Sequence, residues 1–154
     1  MILVTLGTQK QDFSRLLDYI EKSKIEDEII VQCGYTKYES NKMKLLDFIS
    51  YEEMEEYINK ADYIITHSGT GSVLTPLKKG KKVIVCARLS KYGEHVDDHQ
   101  QQLVEIFREE GYILELNEEN NLDDLYKKIK KFKPKKYVSN TDNFIKKLTE
   151  EIDK

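Results

Sequence analysis

Ala61-Asp62-Tyr63-Ile64-Ile65-Thr66 runs into His67-Ser68-Gly69-Thr70-Gly71-Ser72, and after Gly80 comes a second apolar run, Lys82-Val83-Ile84-Val85-Cys86-Ala87. The two runs have strand length, and neither alternates strictly between apolar and polar residues. Between them Leu74 and Leu77 keep helical spacing as far as Lys79, where Gly80 stops the helix; Pro76 fits only near a first turn. Strand, glycine-rich turn, helix and buried strand make a βαβ unit, and near-continuous apolar strands of this kind belong to parallel sheets covered on both faces.

The same alternation extends outward in both directions. Ile2 to Thr5 reads as a strand ending at Gly7-Thr8, and Phe13, Leu16, Leu17 and Ile20 mark a helix over Asp12 to Ile20. Glu28 to Cys33 is a second strand closed by Gly34. Leu45 to Ile49 is a third, and Ser50 followed by Glu53 is a capping box for a helix through about Asn59. Beyond Ala87 lie a charged loop from Arg88 to Asp98, a helix from Gln100 to Glu110 and a last strand from Tyr112 to Leu116. Asn121 to Lys131 and Asn143 to Ile152 are expected as peripheral helices. The predicted fold is one three-layer, Rossmann-like α/β domain spanning residues 1–154, with a mostly parallel sheet. Ligands of such folds sit outside the carboxyl ends of the strands, which directs attention to the residues after Thr5, Thr66 and Ala87.

A chain of 154 residues suits one domain with a full core, and 39% hydrophobic with 34% charged residues is too apolar for disorder and too charged for a membrane-embedded protein. A net charge of -3 points away from nucleic acid as a partner. No run approaches the roughly 18 apolar residues that span a bilayer. The first strand begins at Ile2 with no basic prefix, so no secretory signal is expected. Cys33 and Cys86, each in an apolar segment and not in a CxxC pair, read as buried free thiols suited to a reducing cytoplasm. Tyr126 to Tyr137 holds seven lysines and no carboxylate, either a solvated helix end or a surface for anionic lipid or an acidic partner.

Three loops carry the chemistry. His67 to Ser72 places hydroxyls and two glycines between a strand and a helix, where orphan main-chain N–H groups and the helix dipole favour an anion such as a diphosphate; a tight turn capped by Ser72 is the other reading. The pattern is neither a P-loop nor the G-x-G-x-x-G dinucleotide fingerprint. His67 has the chemistry to donate to a phosphate, position a sugar, transfer a proton or simply bond across two loops. Gly7 and Thr8 offer a second phosphate contact or an ordinary turn. The loop Arg88 to Gln102 holds His95, Asp97, Asp98 and His99, but Val96 breaks the H-E-x-x-H metal pattern, and its amides and carboxylates suit sugar hydroxyls better than a metal.

With Lys79-Gly80-Lys81-Lys82-Val83-Ile84-Val85, Leu6-Gly7-Thr8 and Lys91-Tyr92-Gly93-Glu94-His95-Val96-Asp97-Asp98-His99-Gln100 added to that turn, the chain resembles the carboxyl-terminal, donor-binding half of family 28 glycosyltransferases. It is most similar to the small Alg13-like proteins of the PssE type, found in bacterial exopolysaccharide and capsule assembly, over nearly its whole length. The resemblance implies a single GT-B donor-binding domain that uses a UDP-sugar and no separate cofactor or metal. It implies a membrane-anchored Alg14-like or PssD-like partner that supplies the acceptor half, receives a hexose onto a lipid-linked saccharide with inversion, and holds this chain at the inner face of the cell membrane. Gly7, Thr8, His67, Ser68, Gly69, Thr70, Gly71 and Ser72 would meet the diphosphate and nucleoside, and Asp98, His99 and Gln100 the donor sugar. Thr75 stands where family members often carry a ribose-binding glutamate, and a hydroxyl lacks the bidentate charge of a carboxylate. That departure leaves room for a noncatalytic enhancer or assembly subunit. A free-standing nicotinamide-dependent epimerase is disfavoured by the missing fingerprint.

Overall fold

The computed structural model describes residues 1–137. Its elements follow in the order β1 (Ile2–Thr5), α1 (Ser14–Lys22), β2 (Ile29–Gln32), β3 (Lys44–Leu46), α2 (Tyr51–Lys60), β4 (Tyr63–His67), α3 (Thr70–Lys78), β5 (Lys82–Cys86), α4 (His99–Glu109), β6 (Leu114–Glu115) and α5 (Leu122–Lys131). The strands form one six-stranded sheet in the order β3-β2-β1-β4-β5-β6, every neighbouring pair parallel. Chain progression reverses direction between β1 and β4, so their carboxyl ends diverge into the crevice typical of this topology.

Strand residues divide strictly between two faces. Ile2, Val4, Val31, Ile65 and Ile84 point to one side, where they meet Leu16, Leu17 and Ile20 of α1 and Leu125 and Ile129 of α5. Leu3, Ile30, Ile64, Val83 and Val85 point to the other, against Ile58 of α2, Val73 of α3 and Leu103, Val104 and Phe107 of α4. With both faces covered the alternation is invisible in hydropathy, which is why these strands read as continuous apolar runs. Each fully buried aliphatic side chain contributes about 1.5 to 3 kcal/mol.

The capping box acts at α2 as the sequence predicts. Ser50 caps α2, its hydroxyl accepting the Glu53 N–H at 3.1 Å. Asn121 caps α5 by accepting from Asp123 and Asp124. Both cysteines are free and buried, and burial raises their thiols, Cys33 to about 11 and Cys86 to about 12, so neither is a thiolate at neutral pH.

Two expectations need correction. Pro76 lies in the last third of α3, not in its first turn, and lacking an N–H it cannot bond the Ser72 carbonyl one turn back. Pro76 is buried and forms part of a cavity wall. Helix α5 is no peripheral addition: Leu122, Leu125, Tyr126 and Ile129 enter the first core cluster, and its lysines occupy the solvent side. The helix expected over 143–152 lies outside the described residues. Among the described residues, no helix is long and apolar enough to cross a membrane.

Candidate functional site

A cavity of about 330 Å³ opens at the crevice between the ends of β1 and β4. Gly7, Thr8, His67, Gly71, Ser72 and Thr75 all line it, so the structure brings two of the three loops singled out in the sequence onto one concave surface. At its base the Thr5 hydroxyl donates to that of Thr66 at 2.6 Å, across the strands that diverge there.

The glycines allow this closeness. Gly7 has a left-handed φ of 83°, and a β-carbon on it would sit 2.6 Å from the His67 ring; a β-carbon on Gly69 would meet the same ring at 2.6 Å. Gln32 holds the turn from below: its amide donates to the Gly7 carbonyl at 3.0 Å and its carbonyl accepts the Gly7 N–H at 3.2 Å. Gly69 is the N-cap of α3 and offers no side-chain cap, so the first turn of the helix, where Gly71 and Ser72 line the cavity, has the uncapped N–H donors that an anion would use.

His67 is 3% exposed, and its proton placement follows from its neighbours. Oε1 of Gln100 accepts the main-chain N–H groups of Ser68 at 3.2 Å and Arg88 at 3.0 Å. Only an oxygen accepts such bonds, so the Gln100 amide nitrogen must face His67 Nδ1, 3.3 Å away, and donate to it. The imidazole proton therefore sits on Nε2 and is donated to the Ser72 hydroxyl at 3.1 Å. Ser72, accepting there, keeps its own O–H for a ligand.

Burial, and secondarily the Arg88 guanidinium, pull the His67 pKa from its ordinary 6.5 down to about 3. From about pH 6.5 down to 3 the unfolded chain binds a proton that the folded chain refuses. His67 thus withdraws stability as pH falls through that window, by at most about 1.4 kcal/mol per pH unit, and contributes no pH dependence above it. Urea unfolding between about pH 7 and pH 5 should show a steeper loss for the wild type than for His67→Gln; equal slopes would mean that the folded protein protonates His67.

The third loop is placed differently from the first two. Gln100 is buried beneath His67, with both ends of its amide engaged. Asp98 turns away, accepting from the Ser90 N–H and hydroxyl at 3.0 and 2.9 Å, bonds that hold its carboxyl below the usual range. It borders a second hollow with Arg15, Lys91 and Arg108. His99 pairs with Asp97 at 3.4 Å, and His95 reaches the same carboxylate at 3.1 Å. The loop is anchored by Glu94, whose carboxylate accepts from Arg15 twice and from the Leu89 N–H.

Several cavity residues escape a reading of motifs. Phe48 and Ile49 come from the β3–α2 connection, Tyr51 and Glu55 from α2, Gln9 from the first loop and Lys79 from the end of α3. Phe48 and Tyr51 are 56% and 84% exposed, and Tyr35 packs edge-on to Phe48 with ring centroids 5.1 Å apart. An aromatic edge at one end and helix N–H groups at the other suit a ligand with a planar ring and an anionic tail. The signal present in the sequence was Gln32, a lone amide closing an apolar strand.

Similarity to known proteins agrees with this geometry. Residues 1–153 match the glycosyltransferase family 28 C-terminal domain. The chain is 36% identical over 86 residues to the UDP-N-acetylglucosamine transferase subunit ALG13 of Saccharomyces cerevisiae, covering 53% of this chain and 41% of that protein. It is 30% identical over 129 residues to the UDP-N-acetylglucosamine--N-acetylmuramyl-(pentapeptide) pyrophosphoryl-undecaprenol N-acetylglucosamine transferase of Clostridium botulinum, covering 82% of this chain and 32% of that one. The matched segments are thus less than half of either relative. In fold it resembles the solution structure of ALG13, with a TM-score of 0.63 at 23% identity over 99% of this chain and 96% of that one. It also resembles MurG of Acinetobacter baumannii, with a TM-score of 0.54 at 17% identity over 82% of this chain and 40% of the larger protein. A sheet that reverses between β1 and β4, a cavity bounded by Gly7 and Gly71 at that reversal and a match over 153 of 154 residues lead to one conclusion: the chain belongs to the glycosyltransferase family 28 C-terminal domain family.

Proposed function

We propose that this chain is the donor-binding subunit of a split, inverting glycosyltransferase that uses a UDP-sugar. The observation that carries the reading is the cavity itself, which joins an uncapped helix start and the Ser72 hydroxyl to an aromatic rim, in a domain that spans only 40% of the larger MurG fold. The diphosphate would lie on Gly7, Thr8 and the His67 to Ser72 turn, and the nucleoside would extend along α3 toward Phe48. Charge growing on the departing diphosphate would be stabilised by the first N–H groups of α3 and by Ser72, with no metal or separate cofactor assigned. Asp98 and His99 lie outside the residues lining this cavity, so their contact with the donor sugar rests on the sequence resemblance alone, while Gln100 acts through His67.

His67 is a poor general base, because its Nδ1 lone pair is taken by Gln100 and burial holds its pKa near 3. The base that receives the acceptor proton is therefore assigned to a second, membrane-anchored, acceptor-binding chain of the Alg14-like or PssD-like kind, which would hold this subunit at the inner membrane face. The relatives' names make UDP-N-acetylglucosamine the first donor to try and a lipid pyrophosphate-linked saccharide the first acceptor. An exopolysaccharide or capsular product rests on the sequence resemblance alone; the relatives' names do not extend to it.

The test is UDP release and product formation from a panel of UDP-sugars and lipid-linked acceptors, with this chain alone, its candidate partner alone and the two together. Activity is expected only from the pair. Activity of the partner alone, merely raised by this chain, would make the chain an enhancer and overturn its role as the donor-binding half.

A further inference from the structure

Beyond the diphosphate end, the cavity runs along α3 past Thr75, four residues and about 6 Å from Gly71, and on to Lys79. Its opposite wall is α2, through Met54, Glu55 and Ile58. Glu55 is the one carboxylate and Lys79 the one ammonium among the residues lining it. Lys79 Nζ donates to Glu55 Oε1 at 3.3 Å and to Asn59 Oδ1 at 3.2 Å, which draws the carboxylate toward α3. Glu55 Oε2 takes no hydrogen bond among the described residues and stays available to a ligand.

A ribose presents two neighbouring hydroxyls, each a donor, and a carboxylate is the side chain that accepts both; Rossmann-like sites commonly recognise ribose in this way. Thr75 on the same wall offers only one hydroxyl. The position fits as well: Glu55 stands one turn into α2 from Tyr51 of the aromatic rim, and lysine side chains lean toward a helix N-terminus, so Lys79 holds it against α3, whose first turn carries Gly71 and Ser72. In a nucleoside diphosphate the pentose joins the base to the diphosphate, so a carboxylate close to the rim and tied to α3 is suitably placed to meet it.

We propose that Glu55, steadied by Lys79, is the ribose-recognising carboxylate of this site, and that it selects ribonucleotides over deoxyribonucleotides from α2 in place of α3. The inference rests on the nucleotide-site reading above. It is tested by calorimetric titration of the full chain with UDP, 2′-deoxy-UDP and 2′,3′-dideoxy-UDP, in the wild type and in Glu55→Gln. The wild type should bind the dideoxy compound about tenfold more weakly than UDP, and Glu55→Gln should lose about tenfold for UDP while leaving the dideoxy affinity unchanged. Because Glu55 is half exposed, the variant should keep the wild-type melting temperature. A wild type that binds UDP without discriminating, or a variant that discriminates as before, overturns the role of Glu55 alone. A wild type that binds none of the three nucleotides overturns the nucleotide site as well.

Discussion

Replacing Glu94 with alanine is expected to lower the melting temperature by about 10 °C, a loss of about 3 to 5 kcal/mol. The Glu94 side chain is 4% exposed and that of its partner Arg15 is 16% exposed. The carboxylate accepts from Arg15 Nε at 3.0 Å, from Arg15 Nη2 at 2.9 Å and from the Leu89 N–H at 3.0 Å. Close behind lies Arg88, fully buried, whose guanidinium donates to the carbonyls of Leu6, Gln11 and Glu94. Burial already lowers the Arg88 pKa to about 10, and Glu94 is the largest influence opposing that shift. Without Glu94, two guanidiniums would share one interior with no carboxylate between them, and breaking a buried pair in this way costs far more than the pair contributes over an apolar substitute. Asp97→Ala, at an exposed pairing with two imidazoles, should cost under about 1 kcal/mol. Thermal unfolding of both variants decides the matter, and a Glu94→Ala shift below about 2 °C would show that water replaces the carboxylate.

The second large effect concerns proton placement. Gln100→Glu should raise the His67 pKa by about 2 to 3 units and put a proton on Nδ1. Two main-chain N–H groups hold one oxygen of residue 100, so the substitution turns the amide nitrogen facing Nδ1 into a carboxylate oxygen. Two lone pairs then oppose each other until a proton lies between them. The ring answers by changing tautomer or by becoming charged, and in both cases Nδ1 is protonated. Nitrogen-detected NMR of the His67 ring reads this directly. An Nδ1 already protonated in the wild type would overturn the tautomer assigned above. A bare Nδ1 in the variant, with the introduced carboxylate taking up the proton instead, or a ring titration unchanged from wild type, would reject the mechanism. The steeper acid destabilisation expected of the wild type should also diminish in the variant, because a raised folded-state pKa narrows the window in which only the unfolded chain is protonated.

Much of the architecture was legible because it depends on short-range pattern. Apolar runs, the capping residue Ser50 and the stop at Gly80 specify strands and helix ends through neighbours a few residues away. The βαβ alternation restricts the sheet to parallel connections, and the glycines and hydroxyls from His67 to Ser72 mark the turn that lines the cavity. Pro76 and α5 were misplaced for one reason: whether a proline is tolerated in a helix, or a helix joins a core, depends on what packs against it.

By itself, then, the sequence determined the α/β class, the location of the crevice and the two loops that meet there, because each follows from backbone conformation and local hydropathy. Only the tertiary structure decided which side chains share that crevice. Gln100 lies 33 residues from His67 yet sets its tautomer, Gln32 clamps Gly7 across 25 residues, and Glu55 meets Lys79 across 24. Hydrogen bonds and charge pairs act over a few ångströms of space whatever the separation along the chain, so the partners of a site become visible only when the sheet has brought its strand ends together.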